Sequence, residues 1–356
     1  MQHGGEHSQV GEAAVADADT VASVGEIATL RRIFPRLPQA SATIVGPGDD
    51  AAVLAAPDGR YVVTTDMMIA GPDFRWAWSS PTDIGWKAAA TNLADVAAMG
   101  ARPTALVVAI AAPTNTPVGT LEAVADGFRD ACEALAPGCG VVGGDLSVSD
   151  VFTLAVTAFG DLEGRRPVLR SGARPGDVVA VAGTLGRAAR GLRALFADAV
   201  DAEGMPDARL AADVAARVPE VAVQRRPQPP IFAGAIAATA GATAMLDVSD
   251  GLALDAGRVA EASGVRIDLH ADALGDDLVS ALAGGEDHAL LACFPMEAVL
   301  PSPFRAIGVV LPGPAGGGMV AGGASDERGL LVSVDGHPYG GALGWDPYSG
   351  WDGAAG

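Results

Sequence analysis

Positive charge is what this chain has least of. Only 23 of its 356 residues are Lys or Arg against 43 Asp or Glu, a formal net charge of -20, and one lysine, Lys87, stands among the arginines. A nucleic-acid binder needs a cationic footprint from which counterions are released, and none is present. An anionic membrane surface would repel such a chain for the same reason. Cysteine is scarce too. Cys132, Cys139 and Cys293 lie in apolar or Gly/Pro surroundings without metal-ligand spacing or nearby histidines, so reduced thiols are expected, not zinc. The longest apolar runs, such as residues 106–112, are of strand length, and the first 24 residues carry no arginine-led start or apolar core of a secretory signal. A soluble, cytoplasmic protein with a frayed tail over residues 1–23 is the expectation.

The usual phosphate-handling devices are missing as well. There is no G-x-x-x-x-G-K-[ST] loop and no kinase-type glycine loop with a catalytic His-Arg-Asp. No serine or cysteine stands in a nucleophile constellation with His270, His288 or His337. A phosphate-binding chain this acidic needs another counter-charge, and divalent metal is the natural one.

What is present is 49% hydrophobic residues in alternating strand and helix patterns, enough for two domains of α/β or α+β type. A helix is expected from about Val24 to before Pro35, and a strand at residues 61–66. Next comes an alanine-rich helix capped by Thr82 and closed by Gly100, with Lys87, Thr91 and Asp95 recurring every four residues. A strand over residues 105–110, a helix over 117–135, and strands ending at Asp145 and spanning 151–159 follow. The second half opens with a strand at 178–182, and its Gly183-Thr184-Leu185-Gly186 turn could hold an anion at a helix N-terminus or be a plain connection. Residues 224–230 read as a linker or surface loop, and 312–324 as a glycine-rich variable loop. The boundaries assigned are 24–165 for an N-terminal domain and 166–350 for a C-terminal one.

Acidic residues stand at the ends of these elements: Asp49-Asp50, Asp66, Asp95, Asp145, Asp247 with Asp250, and Glu286, most beside Gly or Ala. An Asp before Gly is ordinarily a turn former or cap. Asp95, in the middle of a helix among alanines, is harder to dismiss, since aspartate is a poor interior helix former. Hard oxygen ligands of this kind suit magnesium.

The order of these motifs resembles the thiamine-monophosphate kinase family, of the superfamily that includes aminoimidazole ribonucleotide synthetase. The matching segments are G-P-G-D-D-A-A at 46–52, T-T-D at 64–66, K-A-A-A-T-N-L-A-D-V-A-A-M-G-A at 87–101 and V-G-G-D at 142–145. They continue with R-S-G-A-R-P-G-D at 170–177, D-V-S-D-G-L at 247–252, G-G-E-D-H at 284–288 and G-W-D at 344–346. The resemblance implies a two-domain fold of the aminoimidazole ribonucleotide synthetase type, whose N-terminal halves pair in a homodimer and bind ATP and metal. It implies direct γ-phosphoryl transfer from ATP to thiamine monophosphate, with several Mg2+ ions and no catalytic side chain forming a covalent intermediate. By carry-over, Asp50, Thr64, Thr65, Asp66, Asp95, Asp145, Asp247 and Asp250 would hold metal, and Gly144, Asp145, Arg170 and Ser249 would contact ATP. Glu286 and Trp345 would meet the thiamine. Asp73 stands where the family carries a substrate-contacting histidine, and Trp345 is followed by Asp346-Pro347-Tyr348 in place of His-Phe. Both departures fall at the acceptor end. An ATP-dependent kinase of another phosphorylated heterocycle and a non-catalytic ATP-binding paralogue remain the alternatives.

Overall fold

The computed structural model describes residues 19–45, 53–313 and 331–345. Asp50 with the rest of the 46–52 motif, most of the glycine-rich stretch and residues 346–356 lie outside the described residues. The chain opens with helices α1 (Val21–Val24) and α2 (Glu26–Ile33) and an antiparallel pair, β1 (Thr43–Val45) and β2 (Val53–Leu54). Residues 19–23, expected to belong to the tail, are held in place. Thr20 caps α1, and the Val21 N–H donates to Thr116 O at 3.0 Å.

Elements β3 (Val62–Ile69), α3 (Pro81–Ala98), β4 (Arg102–Ala112), α4 (Val118–Leu135), β5 (Gly140–Val148) and β6 (Thr153–Asp161) follow. Their strands form one sheet in the order β3-β6-β4-β5, antiparallel except for the β4–β5 pair. Helices α3 and α4 cover one face. The second half comprises β7 (Val178–Ala182), α5 (Arg187–Asp198), α6 (Ala208–Arg217), α7 (Glu220–Arg225), α8 (Ile231–Thr239), β8 (Ala244–Val248) and α9 (Leu252–Ser263). It ends with β9 (Val265–Leu269), α10 (Leu278–Ala283), β10 (Ala289–Phe294), β11 (Arg305–Pro312), β12 (Val332–Val334) and β13 (His337–Pro338). These strands form a seven-stranded sheet in the order β13-β12-β9-β11-β7-β10-β8, so the two sheets draw on separate stretches of chain. No helix among the described residues is long and apolar enough to cross a membrane.

Helix α3 is the shared wall. Thirteen of its 18 residues are buried, because small alanines let it lie against α4, both sheets and α8 at once. It starts two residues earlier than Thr82 suggested. Ser80 is the cap, its Oγ accepting from the Asp83 N–H at 3.2 Å while Asp83 Oδ2 accepts from the Ser80 N–H at 3.0 Å. Pro81, with its φ fixed near helical values, favours that register. Two tryptophans tie the halves together: Trp78 Nε1 donates to Ala199 O at 2.9 Å and Trp86 Nε1 to Pro227 O at 2.7 Å.

These ties correct the expected surface linker at 224–230. Gln224 and Arg225 complete α7, and Gln224, Pro227 and Pro229 are buried. The Trp86 bond and the Arg226–Asp83 ion pair draw the segment against α3.

Glycine sets the α3–α4 spacing. A Cβ on Gly85 would lie 2.1 Å from Val124 O, and one on Gly127 2.1 Å from Thr82 O. Gly85→Ala is therefore expected to cost about 1–3 kcal/mol of stability, read as a lowered urea midpoint. Gly119→Ala, on the same helix pair but with no atom near the added methyl, should stay within about 1 kcal/mol of the wild type.

Candidate active site

Between the halves lies a cleft of about 1020 Å³. One wall is β3, the loop of residues 71–79 and α3; the other is the end of β8, the turn of residues 283–288 and α5. Strand alternation carries Thr64 and Asp66 of β3 into the cleft. The four-residue spacing on α3 does the same for Lys87, Thr91 and Asp95. Asp247, Ser249 and Asp250 arrive from the end of β8, and Arg170, Asp73, Glu286 and Trp345 also line the space.

Thr65, Gly144 and Asp145 do not line it. The same alternation that brings Thr64 inward turns Thr65 to the opposite face, where its hydroxyl donates to Val156 O at 3.0 Å and accepts from Thr157 Oγ1 at 3.1 Å. Asp145 pairs in register with Ala109 on that outer face and accepts from Ser147 Oγ at 2.9 Å.

Four aspartates crowd the inner end. Burial is the largest effect on Asp95, and the charges of Asp247 and Asp66 add to it, pushing its carboxyl up to about 7 against the pull of a 2.9 Å bond from Thr64 Oγ1. Asp66 is pushed up by burial, with Asp247 and Asp250 adding to the effect and His288 opposing it. Positive charge is present but already engaged. Lys87 Nζ pairs with Glu286 Oε1 at 2.5 Å, and Arg258 pairs with Asp250 at 2.7 Å and with Asp255 at 2.5 Å.

His288 is the site residue that sequence reasoning missed. It is fully enclosed, with Nδ1 3.1 Å from Asp247 Oδ2 and Nε2 3.2 Å from Thr91 Oγ1. The single Thr91 hydroxyl hydrogen goes to Lys87 O, so Thr91 accepts from the ring, and both ring nitrogens act as donors. With Asp247 ionised, that arrangement suits the imidazolium. Burial alone pulls the His288 pKa down, but the bond to Asp247 and the charges of Asp247, Glu286 and Asp95 together hold it above its ordinary value.

The three motif turns interlock through the backbone. The Glu286 N–H donates to Ser249 O at 2.8 Å, and the Trp345 N–H to Asp250 O at 2.9 Å. Asp255, also missed, gathers the N–H groups of Asp250 and Gly251, and burial raises its pKa to about 6. Glu286 and His288 adopt left-handed φ values of 68° and 52°, unusual for side-chain-bearing residues, with Asp287 between them. Asp287 accepts from Thr184 Oγ1 at 2.6 Å and from the Ala188 N–H at 3.1 Å. The helix N-terminus considered for anion binding is thus capped by the protein's own carboxylate.

Among the described residues, no three His, Cys, Asp or Glu side chains close around one point. The donor set still fits magnesium, which takes one or two protein carboxylates and fills its remaining sites with phosphate oxygens and water. Asp66, Asp95, Asp247 and Asp250 are hard donors that face an open cleft, and burial raises the pKa of the first two.

Two mixed sheets enclosing an acid-lined cleft define a class. The sequence model for the AIR synthase related protein, N-terminal domain, matches residues 48–162. Thiamine-monophosphate kinase from Mycobacterium tuberculosis H37Rv is 44% identical over 93% of this chain and 94% of its own length. The crystal structure of thiamine-monophosphate kinase from Stenotrophomonas maltophilia K279a superposes with a TM-score of 0.68 at 30% identity, covering 88% of this chain and 96% of that one. The structure of AaThiL complexed with AMPPCP and TMP gives a TM-score of 0.66 at 29% identity, covering 83% of this chain and 90% of that one. The chain belongs to the thiamine-monophosphate kinase family, and is a kinase.

The crowding of the acids sets a pH dependence. The native state keeps the Asp95 proton up to about pH 7, whereas an unfolded aspartate releases it near 4, so this group's contribution to stability is complete below about pH 4 and is lost as pH rises through 7. With chelator present, Asp95→Asn should be more stable than the wild type at pH 8, and the difference should shrink towards pH 5. Urea midpoints at the two pH values check it.

Proposed function

We propose that this chain is a cytoplasmic, homodimeric, magnesium-dependent kinase that passes the γ-phosphoryl group of ATP directly to the phosphate of thiamine monophosphate, giving thiamine diphosphate. The observation that carries it is the gathering of Asp66, Asp95, Asp247 and Asp250, hard oxygen donors from both halves, in one cleft. Family membership and a relative solved with AMPPCP and TMP support the same reading.

Phosphoryl transfer passes through a loose transition state, so the protein's work is positioning and charge neutralisation. Magnesium, when bound, would supply the positive charge that offsets the repulsion between the nucleotide and acceptor phosphates. Asp66, Asp95, Asp247 and Asp250 would hold it, with Asp50 a further ligand implied by the resemblance. His288 braces Asp247 through its ring, and Asp255 fixes the Asp250 backbone, so both acids meet the phosphates with settled orientations. Arg170 and Ser249 lie where they can meet the nucleotide. The acceptor phosphate oxygen is ionised near neutral pH and needs no base. It attacks the γ-phosphorus as the bond to the β,γ-bridging oxygen breaks, and ADP leaves. Glu286, Asp73 and Trp345 meet the acceptor, whose thiazolium cation suits the two carboxylates and the indole face.

The dimer reading rests on exposed apolar side chains on the outer face of the four-stranded sheet, part of which Ala40 and Leu54 cover. Val63 and Met67 stand more than half exposed beside Thr65 on β3, and Asp145 and Ser147 share that face from β5. Apolar strand faces of this kind are normally covered.

Purified protein given ATP, Mg2+ and thiamine monophosphate should form thiamine diphosphate, and EDTA should stop it. Asp247→Asn should lower kcat roughly a hundredfold or more through lost metal-held charge. Intact ATP binding without thiamine diphosphate formation would rule the reaction out. Met67→Glu should shift the sedimentation equilibrium of the protein towards monomer by placing a charge on that outer face.

A further inference from the structure

Two buried amide oxygens of residues lining the cleft, Asn92 Oδ1 on α3 and Gln224 Oε1 on α7, lack a hydrogen-bond partner and have no role in the phosphoryl-transfer geometry, and the second belongs to a residue that shares the cavity with an apolar helix face. Gln224, on α7, is only 5% exposed, lines the cleft, and its Oε1 has no hydrogen-bond partner. A buried carbonyl oxygen without a donor is unfavourable and uncommon, so its survival at a cavity wall points to a ligand that supplies the donor. Around it, Ala189, Leu192 and Phe196 present one face of α5, at spacings of three and four residues, to the same cavity. Trp78 stands opposite with its ring edge-on to Phe196, their centroids 4.9 Å apart. The Arg75 guanidinium lies 4.1 Å from the Trp78 ring and 4.4 Å from that of Phe196. The result is a chamber with flat apolar walls and one hydrogen-bonding fork.

We propose that Gln224 reads the amino-bearing edge of a six-membered nitrogen heterocycle carried by the phosphoryl acceptor, seated on the cleft side of the Ala189–Leu192–Phe196 face, with the Trp78–Arg75–Phe196 cluster closing the end behind it. This rests on the acceptor assigned above, whose aminopyrimidine has such an edge. A carboxamide presents an acceptor and donors side by side, and an amino group beside a ring nitrogen presents the complement. Adenine carries the same edge, so position decides between the two rings. Asp83 and Trp86, in the first turns of α3, hold Arg226 and Pro227 just past Gln224. Asp95 lies about three turns further along the helix from Asp83. Lys87 stands on α3 between Asp83 and Asp95, pairs with Glu286, and feels the charge of Asp73. A ligand with its ring at Gln224, its cationic middle at Glu286 and its phosphate towards Asp95 follows the order of the acceptor's own parts.

The test compares thiamine monophosphate with its analogue lacking the pyrimidine amino group. The wild type should show a KM for the analogue roughly ten- to a hundredfold above that for the parent, the usual range for one unmatched buried hydrogen bond. Gln224→Leu should raise the parent's KM by a similar factor, leave the analogue's KM nearly unmoved, change kcat little, and leave calorimetric ATP affinity unaltered. Gln224→Met, closer in shape, carries the same comparison if the Leu variant does not fold. Equal weakening of both acceptors would assign Gln224 to packing, and a shift in ATP affinity would assign it to adenine; either overturns the proposal. Calorimetric binding of the two compounds repeats the comparison without turnover. Binding with the expected discrimination but no product would sink the kinase reaction and leave the Gln224 contact standing, whereas no binding of either compound would overturn both.

Discussion

Unbalanced negative charge in a desolvated cleft is the constraint on which the rest of this structure depends. Carboxylates placed this close repel one another, and burial strengthens the repulsion, as the raised pKa of Asp95 records. The fold tolerates the arrangement because surrounding groups hold each acid in place. Thr64 holds Asp95, His288 holds Asp247, and Arg258 bridges Asp250 and Asp255. Those partners fix geometry without supplying enough charge to neutralise the site. That donor set is what the proposed magnesium would use.

Holding acids from both halves in register requires a rigid partition, and α3 provides it. Its alanines permit close approach on every side, while its one polar stripe faces the cleft. The cost of Lys87, buried among those alanines, is offset by Glu286 from the other half. The only lysine of the chain thus ties the two halves together at the site.

The acids themselves were legible in the sequence because they sit in short contiguous motifs at element ends, where a run of Asp beside Gly stands out. Strand boundaries such as Val178–Ala182 were legible for the same reason, being bracketed by Gly and Pro. What could not be read was pairing across distance. Asp255 and Arg258 form an i, i+3 pair on α9, yet both also hold Asp250 at the preceding turn, a contact no spacing announces. Thr65 and Asp145 belong to the same motifs as Thr64 and Gly144, and only the sheet register shows which face each takes. The segment at 224–230 was rich in Pro and Arg, the composition of a linker. Trp86 and Asp83, more than a hundred residues earlier, make it a wall.

The turn of residues 284–288 joins three of these tasks in adjacent positions. Glu286 lines the cleft and pairs with Lys87, Asp287 anchors the start of the helix that carries Leu192 and Phe196, and His288 steadies Asp247. Alternate residues there are held in left-handed conformations, so the turn has little freedom to adjust one task apart from the others. A substitution at any one of these three positions therefore disturbs the backbone on which the other two depend.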